Sequence, residues 1–321
     1  MLPTPLIRAC NQILSPAGQN ARLSILIYHR VLPAPDPIFP NEVTAERFDR
    51  QLDLLKRAFN VLPLPEAIER LKSGHLPARA ACITFDDGYA DNVTQALPLL
   101  KKHGLPATFF IATAYLNGGR MFNDTVIEAV RQSELASIDL TDLGLGRHDL
   151  SSPAAKHKAI DTLLPKVKYL PLEQRSQTVA SLAQRLTDRP LPDQLMMTTA
   201  QLKTLHGAGM EIGGHTHAHP ILAGLTDAET RIEISQGLEE LENLLGTRPR
   251  VFAYPNGRPG TDYRPEQAAL LKPLGLMGAV STHWGVARRD SDVYQLPRFT
   301  PWHPSPRRFL PLLLSNLRHV R

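Results

Sequence analysis

Short apolar runs that stop abruptly at polar residues alternate along this chain with stretches whose apolar positions recur at helical spacing. Residues 23–28, 81–85, 107–112, 210–212, 251–254, 277–280 and 295–299 read as buried strands, with a brief one near Val61. Between them, residues 44–59 place Phe48, Leu52, Leu55 and Phe59 on one helical face, and residues 66–71, 92–103 and 199–206 continue the pattern. Pro98 either starts the third of these helices or kinks it. Thr226 and Glu229 form a capping box that opens a long helix ended by Gly246, and residues 309–317 form a terminal apolar helix interrupted by Pro311. Strands alternating with helices predict an α/β class built of parallel βαβ units. From 117 to about 197 the rhythm stops; helices near 126–132, 153–164 and 172–186 with no strand between them predict an inserted helical subdomain. The organisation expected is an extension over 1–22, a domain over 23–303 carrying that insertion, and a tail over 304–321.

Composition narrows this picture only a little. A chain of 321 residues with 42% hydrophobic positions can bury the core of one large domain or two modest ones. Cys10 and Cys82 are far apart, which gives no disulfide framework and suits a reducing compartment. Pro3, Pro5 and Arg8 break the start of the chain, so no secretory signal is expected, and a cytoplasmic protein is. The net charge of +5 is concentrated at the end, where no acidic residue follows Asp292 while Arg298, Arg307, Arg308, Arg318 and Arg321 do. That pattern argues against nucleic-acid binding, which favours a basic face with interleaved aromatics. An anionic membrane surface met by the tail, an anionic glycan carrier, or a merely solvated tail fits it better.

Each polar signal falls just after a strand: His29, Asp86 with Asp87, the cluster from His215 to His219, Tyr254, and Arg298. In α/β barrels and open parallel sheets, sites assemble at those carboxyl ends. Alternation along a strand points Asp86 and Asp87 to opposite sides, so that one can hold something while the other acts on it. His215, His217 and His219 offer three imidazoles, and with Asp87 they can supply the three protein ligands of an open zinc site. An extended segment would align all three; a turn would bring His215 and His219 together.

Thr84-Phe85-Asp86-Asp87-Gly88-Tyr89 followed by His215-Thr216-His217-Ala218-His219 resembles the first two motifs of the polysaccharide deacetylases with a NodB-homology domain, carbohydrate esterase family 4. Phe252-Ala253-Tyr254-Pro255-Asn256-Gly257 is similar to the third motif in its FAYP branch. The resemblance runs from about Leu23 to His303. It implies a distorted barrel of about seven βα units, removal of N-acetyl groups from amino sugars or O-acetyl groups from xylan, and a divalent metal, usually zinc. It further implies Asp86 as base, Asp87, His215 and His219 as metal ligands, and His217 as a variable position. By analogy the Tyr254 N–H is an oxyanion donor.

Two departures matter. The arginine that the family pairs with its base is missing around Ala253, and Arg298 is the candidate to replace it from another strand. No late L-x-H strand follows Arg298; Trp302-His303-Pro304 lacks strand context, whereas Ile27-Tyr28-His29 is a strand ending in histidine. Members of the family that open with a Tyr-His strand resemble a circular permutation, which implies His29 as the acid that protonates the leaving amine. The expected partner is an acetylated glycan or a lipid-linked sugar. A deformylase, an O-acetyl esterase and a glycan-binding protein on a retired enzyme scaffold are the rivals.

Overall fold

The computed structural model describes residue 8, residues 12–300 and residues 306–318. Cys10, His303 and Arg321 lie outside the described residues. In chain order the barrel half begins with β1 (Leu23–Tyr28), α1 (Ala45–Ala58), β2 (Asn60–Val61), α2 (Leu64–Ser73), β3 (Ala80–Phe85), α3 (Leu97–His103) and β4 (Thr108–Ile111). The insertion follows with α4 (Phe122–Gln132), β5 (Ser137–Leu140), β6 (Gly146–Asp149), α5 (Pro153–Lys168) and α6 (Leu172–Leu186). The chain then returns through α7 (Thr199–Gly207), β7 (Glu211–Gly214), α8 (Asp227–Leu245), β8 (Val251–Ala253), α9 (Pro265–Ala269), β9 (Gly278–Trp284), β10 (Leu296–Arg298) and α10 (Pro306–Asn316).

The main sheet runs β1-β3-β4-β7-β8-β9-β10 with every neighbour parallel, and β2 pairs on β3. Its two ends meet. Ile27 N–H donates to the Phe299 carbonyl at 3.1 Å and Phe299 N–H to Ile25 at 2.8 Å, so seven strands close on themselves as a distorted barrel. Inside, Leu23, Ile25, Cys82, Phe110, Val251 and Val280 pack together, and Ile68 and Leu71 of α2 join the same cluster. Outside, Tyr28, Phe48, Phe85 and Phe109 pack between sheet and helices.

Pro98 resolves as a helix start: a π-helical stretch, Asn92–Ala96, precedes it and α3 begins at Leu97. The capping box of Thr226 with Glu229 is formed, with hydrogen bonds of 2.8 and 3.3 Å. The insertion departs from expectation, because it is not purely helical. β5 and β6 make an antiparallel hairpin within it, four residues a side and mostly exposed, too short and too polar for its alternation to register. Its apolar residues, among them Val126, Leu140, Ile160, Leu163 and Leu182, form a core cluster of their own. Asn117 N–H donates to the Met197 carbonyl at 3.1 Å, which joins the two ends of this segment.

The apolar residues of the tail pack inward. Phe309, Leu310, Leu313 and Leu317 are buried against the barrel and α1, leaving Leu312 and Leu314 half-buried. Among the described residues no helix is long and apolar enough to cross a membrane.

Candidate active site

Strand β3 is buried along its whole length and delivers two carboxyls to its carboxyl end. Asp86 continues the inward row of Ala80, Cys82 and Thr84. Strict alternation would send Asp87 the other way. Its φ of 77°, followed by Gly88 at 92°, breaks strand geometry and brings it back to the same cavity. Among the described residues, non-glycine positive φ also occurs at Thr216, His219 and Asn256, on turns that line or adjoin this cavity, and at Arg79 and Asn117, which do not line it. Backbone strain of this kind, of order 1 to 3 kcal/mol per residue, persists where the surroundings over-determine a geometry that function uses.

Asp86 is 3% exposed and is gripped by Arg298, whose Nη1 and Nη2 each donate to one carboxyl oxygen at 2.6 Å. Arg298 crosses beneath β1 from β10 and is fixed by Ser281 O (2.9 Å) and Thr84 Oγ1 (3.2 Å). Burial pushes the Asp86 carboxyl up, but the Arg298 charge and hydrogen bonds overrule it and hold it below the ordinary value. Arg298 thus pairs with Asp86 from another strand.

Asp87 Oδ1 lies 3.2 Å from His215 Nε2 and 3.3 Å from His219 Nε2. The open choice between an extended segment and a turn is decided for the turn: Thr216 at φ 66° reverses the chain, and its Oγ1 accepts the His219 N–H at 3.0 Å. The two imidazoles end 4.8 Å apart between centroids. His217 is turned away, its Nδ1 against Thr113 Oγ1 and Glu240 Oε2, both at 3.0 Å. His215 Nδ1 donates to Ala253 O at 2.7 Å, which fixes the ring and turns Nε2 toward Asp87. Asp87 is held well below the usual carboxylate range, against burial, by hydrogen bonds from both imidazoles. One carboxylate oxygen and two imidazole nitrogens, all within 4.8 Å of one another, fit a divalent metal of the zinc type.

His29 lines the same cavity, and Asp86 N–H donates to Tyr28 O at 3.0 Å, which places His29 level with the acids on the adjacent strand. Tyr254 does not reach the cavity. Its N–H points to Val280 O at 3.4 Å, its hydroxyl donates to Tyr294 O at 2.7 Å and its ring stacks on Tyr263, because β8 is still paired with β9 there. Asn256, two residues later, does reach the cavity. It lines the cavity at φ 60° with a buried Nδ2 that has no hydrogen-bond partner. The sequence signal was present in Pro255-Asn256-Gly257, which reads only as a turn.

The cavity encloses about 610 Å³ and is walled partly by the insertion, through Phe122, Asp124, Glu128, Arg131, Lys168 and Tyr169. No sequence motif marked these residues. Burial lifts the Asp124 carboxyl to about 7. Lys168 and Tyr169 also reach the loop after β8, meeting Asp262 Oδ1 at 3.1 and 3.0 Å.

Comparison with known proteins finds relatives in sequence and in fold. YxkH of Bacillus subtilis (strain 168) is 24% identical over 280 residues, covering 87% of this chain and 71% of its own. A poly-beta-1,6-N-acetyl-D-glucosamine N-deacetylase of Staphylococcus epidermidis is 31% identical over 140 residues, 43% of this chain and 45% of the relative. Among solved structures, the Streptococcus pyogenes deacetylase PplD superposes with a TM-score of 0.60 at 20% identity, covering 93% of this chain and 99% of that one. IcaB from Ammonifex degensii gives 0.59, also at 20% identity, covering 95% and 99%. These likenesses share the fold. The family model described as polysaccharide deacetylase matches residues 73–276, a span holding both acids, the histidine turn and Asn256, and the chain belongs to the polysaccharide deacetylase family.

Proposed function

We propose that this chain hydrolyses the N-acetyl group of an amino sugar of the N-acetylglucosamine type, in a polysaccharide or a lipid-linked glycan precursor. The observation that carries the reading is the division of labour between two adjacent acids in one cavity: Asp87 with two imidazoles, Asp86 with an arginine. The name of the Staphylococcus epidermidis relative supports the choice of sugar.

Asp87, His215 and His219 would hold the divalent metal, zinc by the chemistry of the donor set. Bound there, such an ion polarises a carbonyl and makes water acidic near neutral pH. Asp86, kept ionised by Arg298, takes the proton of the attacking water. Arg298 positions that carboxylate and does not touch the substrate. Asn256 Nδ2 is the donor available to the carbonyl oxygen as it gains negative charge. A C–O bond forms, the C–N bond breaks, and His29 hands a proton to the departing amine, so that acetate and a free amino sugar leave.

Acetate release from poly-β-1,6-N-acetylglucosamine and chitooligosaccharides tests this. Wild type should be active, silenced by chelation and restored by zinc. Asp86→Asn should bind metal normally yet turn over at least ~100-fold more slowly. A near-normal rate in that variant overturns the mechanism. His29→Ala should lose the basic limb of the pH–rate profile and retain its metal.

A further inference from the structure

Asp124 stands in the first turn of α4, where the insertion begins, and faces the cavity shared by Asp86, Asp87 and His29. It is 4% exposed. Tyr89 donates its hydroxyl to Oδ1 at 2.8 Å, while Oδ2 is buried with no hydrogen-bond partner among the described residues. Several other acids around the cavity are paired with cations: Asp36 and Glu128 with Arg131, Asp262 with Lys168, Asp86 with Arg298. A buried acceptor left without a donor is costly, and its presence in a cavity wall points to a donor that arrives with a ligand. Asn256 on the turn after β8 is the converse, a buried donor without an acceptor. An N-acetylated amino sugar carries both complements, since its ring hydroxyls donate and its acetyl carbonyl accepts.

Resting on the deacetylase reading above, we propose that the insertion reads the sugar: Asp124 Oδ2 accepts a hydrogen bond from a ring hydroxyl of the residue being deacetylated, and Tyr89 aims it. The insertion is well placed for this. Its exit strap is tied to the loop that carries Asp87, through Met197 N–H to Gly88 O and Ala90 N–H to Leu195 O, both 2.9 Å. The wall and the reacting centre therefore share one backbone. The cavity of about 610 Å³ is in the range that encloses a small ligand.

The test compares kcat/KM at pH 8, where Asp124 is ionised and Oδ2 accepts, for acetate release by metal-loaded wild type and Asp124→Asn on N-acetylglucosamine oligosaccharides and on analogues that each lack one ring hydroxyl. Asn keeps an oxygen for Tyr89 and replaces the Oδ2 acceptor by a donor. In wild type one deoxy analogue should be slower by about tenfold or more, mainly through KM. In Asp124→Asn that penalty should vanish, since the partner is already lost. Tyr89→Phe should shrink it in the same direction. Metal content should be unchanged in both variants. Equal deoxy penalties in wild type and variants, or variants that lose metal, would overturn the proposal while leaving the deacetylase reading intact. A wild type that releases acetate from none of these glycans would instead sink that reading, and the wall with it.

Discussion

At the residue scale, the carboxyls at 86 and 87 share a cavity yet have different neighbours, and the neighbours assign the roles. Asp87 meets two imidazoles whose fixed nitrogens face it, whereas Asp86 meets a guanidinium that no substrate can displace from 0% exposure. His219→Ala should therefore lose bound zinc, while His217→Ala, whose ring rests on Thr113 and Glu240, should keep it; metal analysis of the purified variants checks both. A second prediction concerns pH. Burial raises Asp124 to about 7, above the ~3.9 of an unfolded aspartate. Between those values the folded state holds a proton that the unfolded state releases, so this group's contribution to stability is full below about pH 4 and is lost as pH rises through the folded value. Asp124→Asn should then be more stable than wild type at pH 8, by up to about 4 kcal/mol, with the gap closing toward about pH 4. Urea unfolding at both pH values measures this, and a gap that stays constant would contradict it.

At the element scale, the histidine turn is wedged between β7 and α8, and three glycines set the spacing. A Cβ on Gly213 would meet Phe110 at 2.4 Å, one on Gly214 would meet Leu238 at 2.8 Å, and one on Gly237 in α8 would meet the Thr216 carbonyl at 2.7 Å. Helix propensity alone says that Gly237→Ala should stabilise α8 by about 1 kcal/mol. The contact with backbone says otherwise. We expect Gly237→Ala to lower stability by about 1 to 3 kcal/mol and to weaken zinc binding, because the turn carrying His215 and His219 must shift. Thermal unfolding with and without metal tests it; a rise in stability would mean that the turn yields freely. The helices themselves were legible in sequence wherever a cap and a face coincided, as at Thr44, whose hydroxyl accepts the Arg47 N–H, and at Thr226. The β5–β6 hairpin was not, since four mostly exposed residues a side carry too little pattern.

At the scale of the whole molecule, closure of the sheet between β10 and β1 makes the site. It carries Arg298 beside a strand far earlier in the chain and lets its side chain reach Asp86 from beneath. The terminal helix α10 belongs to the same closure, with Phe309, Leu313 and Leu317 at most 1% exposed. A chain ending at Ser305 should lose several kcal/mol of stability, given ~1.5 to 3 kcal/mol for each large apolar side chain buried. It should also bind a hydrophobic dye, and denaturant titration with dye fluorescence reads both. Unchanged stability would favour a tail free to meet a membrane.

The sequence by itself determined the alternation of strands and helices and the position of Asp86, Asp87, His215 and His219 at the ends of buried strands. These are local signals: apolar runs, caps, and polar residues placed at the ends of buried strands. The turn that brings His215 and His219 together and leaves His217 aside, the grip of Arg298 on Asp86, the exclusion of Tyr254 from the cavity that Asn256 lines, and the insertion as a wall of the cavity were decided only in the tertiary structure. Each depends on backbone conformations of positive φ or on neighbours more than 30 residues apart in sequence. Periodicity along a chain reports which face a residue shows, and it carries no information about what that face will meet.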